Sequence, residues 1–204
     1  MVDRPSGVFI SYRREDAGPY ARLLKVLLDE RLLDIPVFMD LDSIEVGTDF
    51  AEAIESALRS CVVLVALIGP RWLTAADADG QRRLDDPDDQ VRFEIQAALE
   101  QGARVIPVLV DGSLMPRQHQ LPTGLAKLAR LNAMEMSYSR LEYDETRLLN
   151  AVIRVLADND LPARVLTAMP ARPDYPAGPR LMRRSERPDR QTLRKALGNW
   201  LLQN

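Results

Sequence analysis

Cysteine and histidine are almost missing from this chain: its 204 residues hold one of each, Cys61 and His119. A single cysteine excludes an internal disulfide and suits a reducing cytoplasm. With so few of the usual ligands a zinc site is nearly excluded, and no metal is expected. Long apolar runs are missing too. The longest, residues 61–69, is strand-sized and far short of the ~20 residues a membrane span needs, so no membrane contact is expected. No apolar stretch of signal-peptide type stands near the N-terminus. The absence of G-x-G-x-x-G after the first apolar run, and of a Walker A sequence, argues against a Rossmann dinucleotide grip or a P-loop NTPase. There is no G-x-S-x-G elbow, and His119 sits in a polar stretch, as a solvated loop residue would. Cys61 opens an apolar run and reads as a buried side chain rather than a reactive thiol.

What is present is the composition of a soluble globular protein, 46% apolar and 28% charged, long enough for one ordinary domain and an extension. The net charge of −3 divides unevenly. Residues 1–160 carry 18 basic against 27 acidic side chains, a balance of −9, and residues 161–204 carry 9 against 3, a balance of +6. An acidic body makes nucleic acid an unsuitable ligand for the core. Six prolines between positions 162 and 188 rule out a regular helix and mark residues 161–190 as a Pro/Arg-rich linker. Residues 191–204 then read as a short amphipathic helix through Leu193, Leu197, Trp200 and Leu201. The tail is open to three readings: a linker to an effector or sensor domain, a basic patch for an anionic surface, or a helix docked on the body. The linker is favoured, because so few ordered residues cannot build a core alone.

Over residues 1–160, short apolar runs alternate with helical patterns, the signature of βαβ units around a parallel sheet. Strands are expected at 8–11, 37–39, 61–68, 104–110 and 133–136. Helices are expected at 19–33, 50–59, 89–101, 121–131 and 143–157. The first carries Tyr20, Leu23, Leu24, Leu27, Leu28 and Leu32 on one face. Residues 61–68 are continuously apolar, as a central strand buried on both faces requires. The acidic run Asp85-Asp-Pro-Asp-Asp89 lacks EF-hand spacing and reads as a helix cap, with Asp88 or Asp89 at the N-cap. Repeated β-α units with right-handed crossovers predict an α/β fold. The sheet is doubly wound, flavodoxin-like, five-stranded and parallel, in order 2-1-3-4-5 and flanked by helices. Ligands of such sheets sit outside the carboxyl ends of the strands, which points to residues 12–16, 40–49, 69–86 and 111–120.

Four segments in register carry a family resemblance. Phe9-Ile-Ser-Tyr-Arg-Arg-Glu-Asp16 resembles the first signature box of TIR (Toll/interleukin-1 receptor) domains. Val37-Phe-Met-Asp-Leu-Asp-Ser-Ile-Glu-Val-Gly-Thr-Asp-Phe50 resembles the second box and its BB loop. Leu67-Ile-Gly-Pro-Arg-Trp-Leu73 resembles the family's exit from the third strand. Val91-Arg-Phe-Glu-Ile95 with Val105-Ile-Pro-Val108 resembles its passage from third helix to fourth strand. TIR domains divide into adaptors that only self-associate and enzymes that cleave the nicotinamide–ribose bond of NAD+. In the enzymes one glutamate on the third helix is indispensable, and the resemblance places it at Glu94.

The resemblance therefore implies an NAD+ nucleosidase of the bacterial type. It would release nicotinamide and ADP-ribose or a cyclised form, be switched on by self-assembly, and serve immune or cell-suicide signalling in the cytoplasm. NAD+ is the substrate, and no cofactor is implied. The alternative is a non-enzymatic adaptor working through its BB loop, against which the glutamate at 94 argues; another has the domain make a nucleotide messenger from NAD+. A homo-oligomer or filament through TIR–TIR contacts is implied, with Asp42, Ser43, Ile44, Glu45, Val46 and Gly47 of the BB loop in self-association. Implied substrate contacts are Tyr12, Arg13 and Arg14, where an arginine meets pyrophosphate, and Glu45 and Phe50 near the nicotinamide or the next subunit. Trp72 is placed to stack on a nicotinamide or adenine face. Plain alternatives stand beside these: Arg13 or Arg14 pairing with acids such as Asp40 or Asp42, Phe50 in the core, Trp72 packing after its strand. One departure is Gln90, since the animal NAD-cleaving branch has tryptophan four residues before its glutamate.

Spacing alone adds an independent view of Glu94. At 100° per residue Val91, Ile95, Ala98 and Leu99 share one helix face, Glu94 lies at its edge, and Phe93, Gln96, Ala97 and Glu100 face outward. A carboxylate beside apolar groups near strand ends is a candidate functional acid, although an exposed or salt-bridged helix glutamate fits the same pattern.

Overall fold

Every residue of the first strand, β1 (Gly7–Ser11), is buried, because strands lie on both sides of it and helices cover both of its faces. The structure, a computed structural model, describes residues 6–39 and 50–161, with the backbone alone at 50–53. β1 pairs in parallel with β2 (Val37–Met39) on one side and β3 (Cys61–Ile68) on the other. β3 pairs with β4 (Arg104–Val110), which pairs with the edge strand β5 (Met134–Met136). The order is β2-β1-β3-β4-β5, the doubly wound arrangement expected from the sequence.

The side-chain period of two divides β3 between two cores. Val63, Val65 and Leu67 point to the face covered by α1 (Arg14–Arg31) and α4 (Leu141–Asp158), among Leu24, Leu28, Leu148 and Val152. Leu64, Ala66 and Ile68 point to the face covered by α2 (Phe50–Arg59) and α3 (Gln90–Gln101), among Ile54, Leu58 and Ile95. Burial on both faces is why residues 61–68 carry no polar alternation.

Four expectations about helices need correction. The first helix starts at Arg14 rather than 19, with Pro19 inside it. Proline lacks the N–H that would bond back to the Glu15 carbonyl. That carbonyl instead accepts a hydrogen bond from the Arg71 guanidinium, so the break in the helical ladder is filled from another loop. The expected helix over 121–131 is a series of separate 3-10 turns, Thr123–Leu125 and Leu128–Arg130, preceded by Gln118–Gln120. Pro122 is extended (φ −56°, ψ 153°), which stops a continuous helix from starting there. The buried Leu121, Leu125 and Leu128 are still brought inward, because single turns can present apolar residues spaced by three or four. The fourth helix starts two residues earlier than expected and the third one residue later, at Gln90, with Asp89 as its N-cap.

Candidate functional site

The carboxyl ends of β1 and β3 are neighbours with crossovers leaving in opposite directions, the switch point where doubly wound sheets bind ligands. Arg13, just beyond β1, ties this region together. Its Nη1 and Nη2 donate to Asp89 Oδ2 and Oδ1 at 3.0 and 3.1 Å, and its Nε donates to the Trp72 carbonyl at 3.1 Å. One guanidinium thereby links the β1 exit, the β3 exit and the start of α3. Asp89 also accepts the Arg92 backbone N–H at 3.0 Å as the α3 N-cap, and Arg83 Nε lies 3.2 Å from its Oδ2. A carboxylate this deeply buried needs such saturation, because an unpaired charge would not survive away from water.

Arg13 is thus an interior brace, with a side chain 1% exposed and paired with Asp89, while Asp40 and Asp42 lie outside the described residues. Its expected contact with pyrophosphate would require breaking that pair. Trp72 is 1% exposed in the α2/α3 core, the packing alternative, and presents no face for stacking. Arg14 is exposed and Tyr12 half-buried against the α1/α4 core, both at the strand-end surface. The BB-loop positions Asp42, Ser43, Ile44, Glu45, Val46 and Gly47 and the Phe50 side chain lie outside the described residues, as do the linker from 162 onward and the terminal helix.

Glu94 lies five residues into the chain that Asp89 caps. It is 4% exposed, on the face of α3 that carries the buried Val91, Ile95 and Ala98. Phe93 faces outward, as the helical spacing predicts, and Leu99 is half-buried. Gln90, one turn earlier, donates from Nε2 to Glu94 Oε1 at 3.0 Å. This contact was missed from the sequence, although i,i+4 spacing is the signal for it. Beside the Arg13 brace lies a cavity of about 360 Å³ whose lining includes Arg13, Glu15, Asp16, Arg71 and Arg83.

Cys61 is buried, its Sγ 3.0 Å from the Ala57 carbonyl, and burial pushes the thiol up to about 12, which fits the structural role expected of it. His119 is exposed on a 3-10 turn. Tyr20, in α1, donates to Asp111 Oδ1 at 2.7 Å, and burial and then that bond raise its pKa. This tie between helix α1 and the β4 exit spans 91 positions and had no sequence signal.

The sequence profile of the TIR domain matches residues 8–158. The chain belongs to the TIR domain family. Relatives of this TIR domain include NAD(+) hydrolase sarm1 of Drosophila melanogaster, 31% identical over 127 residues, covering 62% of this chain and 9% of that protein. NAD(+) hydrolase tir-1 of Caenorhabditis elegans is 26% identical over 136 residues, covering 66% of this chain and 13% of that protein. The chain therefore spans 9% and 13% of the length of these two relatives. Among solved structures, the TIR domains of the activated Roq1 resistosome directly recognizing the pathogen effector XopQ are similar in fold, with a TM-score of 0.55 and 15% identity over 72% of this chain and 99% of that one.

Proposed function

We propose that this TIR domain is an NAD+ nucleosidase in which Glu94 is the catalytic carboxylate. The observation that carries the proposal is a glutamate 4% exposed on the apolar face of α3, held by a neutral amide. Relatives named NAD(+) hydrolases support it.

The reaction asks little of the protein. The C1′–N bond of NAD+ breaks with its electron pair passing to the pyridinium nitrogen, so nicotinamide leaves neutral and needs no proton. The ribose is left as an oxocarbenium-like cation, as in glycoside hydrolysis. A carboxylate fixed in a poorly hydrated site stabilises that cation and can bind the ribose hydroxyls. Water then adds at C1′ and releases a proton to give ADP-ribose; attack by a nucleophilic atom of the substrate itself would give a cyclised form.

Tyr12 and Arg14 are the strand-end side chains assigned to the substrate, with Glu45 and Phe50 completing the site from the BB loop. Arg13 and Trp72 are assigned to holding the fold. Self-association through residues 42–47 raises activity, and NAD+ depletion in the cytoplasm serves immune or cell-suicide signalling.

The test is NAD+ consumption measured against protein concentration, with chromatography of the products. The wild type should release nicotinamide, more steeply than in proportion to concentration, and Glu94→Gln should lower turnover at least about 100-fold with the fold intact. An assembled wild type that leaves NAD+ intact would indicate a non-enzymatic adaptor, and full activity in Glu94→Gln would remove that residue from the mechanism.

A further inference from the structure

We infer that Gln90 is a positioning residue for Glu94, orienting its carboxylate through a neutral hydrogen bond; this rests on the proposed catalytic role of Glu94. Gln90 is the first residue of α3, half-buried, and its Nε2 donates to Glu94 Oε1 at 3.0 Å. Gln90 is itself held by what precedes it. Asp89 closes the first turn through the Arg92 N–H, and Asp89 is clamped by the bidentate Arg13 and by Arg83. A continuous path of bonded groups thus runs from the β1 exit to the carboxylate: Arg13, Asp89, the first turn of α3, Gln90, Glu94.

The chemistry explains why an amide suits this place. Stabilising a cation at C1′ requires the carboxylate in a fixed orientation and with its negative charge undiminished. A glutamate side chain has three rotatable bonds and does not hold its head group still unaided. An arginine or lysine at position 90 would orient it but oppose the developing positive charge of the ribose. An apolar residue would leave the charge intact but remove this orienting bond. A glutamine donates one N–H and adds no charge.

The role is tested with three side chains at one position. Gln90→Met keeps the approximate volume and removes the donor. Gln90→His places a ring Nε2–H the same number of bonds from the backbone as the Gln Nε2, and is assayed at pH 8, where imidazole is mostly neutral. Gln90→Met should lower kcat about 10- to 100-fold while KM stays within about threefold, because the bond acts where charge develops. Gln90→His should restore kcat to within about threefold of wild type. A Met variant with wild-type kcat, a loss confined to KM, or no recovery in the His variant each overturns the positioning role.

A second measurement does not depend on turnover. The side-chain amide signals of Gln90, identified by their disappearance in Gln90→Met, should shift in the nitrogen–proton NMR spectrum of Glu94→Ala. Unchanged signals overturn the contact itself. Failure of the underlying catalytic role looks different: the wild type then leaves NAD+ intact, whereas failure of the positioning role leaves a wild type and a Met variant of equal activity.

Discussion

Replacing Arg13 by methionine separates an interior brace from a ligand contact at one position. The substitution keeps the aliphatic length and removes the guanidinium, which makes three hydrogen bonds inside the protein and is 1% exposed. Deleting one partner of a buried ion pair costs about 3–5 kcal/mol, because the remaining charge loses its compensation away from water. Here the lower end applies. Asp89 still has Arg83 Nε at 3.2 Å and the Arg92 N–H at 3.0 Å, so it is weakened rather than abandoned. A loss of about 3 kcal/mol lowers the melting temperature of a domain this size by roughly 6–12 °C. Asp89→Asn keeps a good N-cap and removes the charge, leaving Arg13 as the buried ion, and should cost a similar amount. Because the two losses share one interaction, the double variant should recover at least about 1 kcal/mol relative to their sum. Urea and thermal unfolding of the four proteins provide the measurement. Additive losses, or an Arg13→Met variant within about 0.5 kcal/mol of wild type, would refute the brace. An unchanged stability together with weakened NAD+ binding would return Arg13 to the pyrophosphate contact that the sequence suggests.

Two glycines and the one cysteine give contrasting tests. A Cβ at Gly69 would stand 2.5 Å from Asp16 Oδ2 and 2.8 Å from its Oδ1, while Oδ1 accepts the Arg71 backbone N–H. That carboxylate is buried and committed, so Gly69→Ala should lose about 1–3 kcal/mol in a urea titration. A Cβ at Gly124 would stand closer still, 2.2 Å from Gln96 Oε1, yet that amide ends a flexible half-buried chain whose Nε2 donates to the exposed Glu100. Gly124→Ala should therefore stay within about 0.5 kcal/mol, and equal losses at the two sites would contradict the distinction. With its thiol pushed up to about 12 by burial and only 6% of the residue exposed, Cys61 holds very little thiolate at pH 8. An aromatic disulfide reagent should label it only after denaturant is added, and rapid labelling of the native protein would show that β3 opens at its start.

What the sequence made legible follows from how far apart the interacting residues stand. The strands were readable because short apolar runs such as Val8–Ile10 and Cys61–Ile68 report burial on both faces by themselves, and their order followed from right-handed crossovers. Glu94 at the edge of an apolar helix face was readable for the same reason, since 3.6-residue periodicity is local. The start of α1 was missed because Pro19 is locally a poor interior residue; only Arg71, 56 positions away, supplies the partner that its missing N–H leaves at Glu15. Arg13 was assigned outward for a related reason. An arginine that follows a buried strand has the same appearance whether it faces a ligand or turns to an acid 76 residues downstream. The acidic run before α3 supplied half of that pair as a cap, and the other half was already in the first signature segment, but no spacing rule connects them. The consequence reaches the site. A residue type that suggests ligand contact can instead fix the helix bearing the candidate acid, so Arg13 bears on Glu94 through the angle and register at which α3 leaves Asp89. Variants of Arg13 that stay folded should then alter turnover through Glu94 geometry rather than through NAD+ affinity, with kcat falling while KM holds; a change in KM alone would contradict the path from brace to carboxylate.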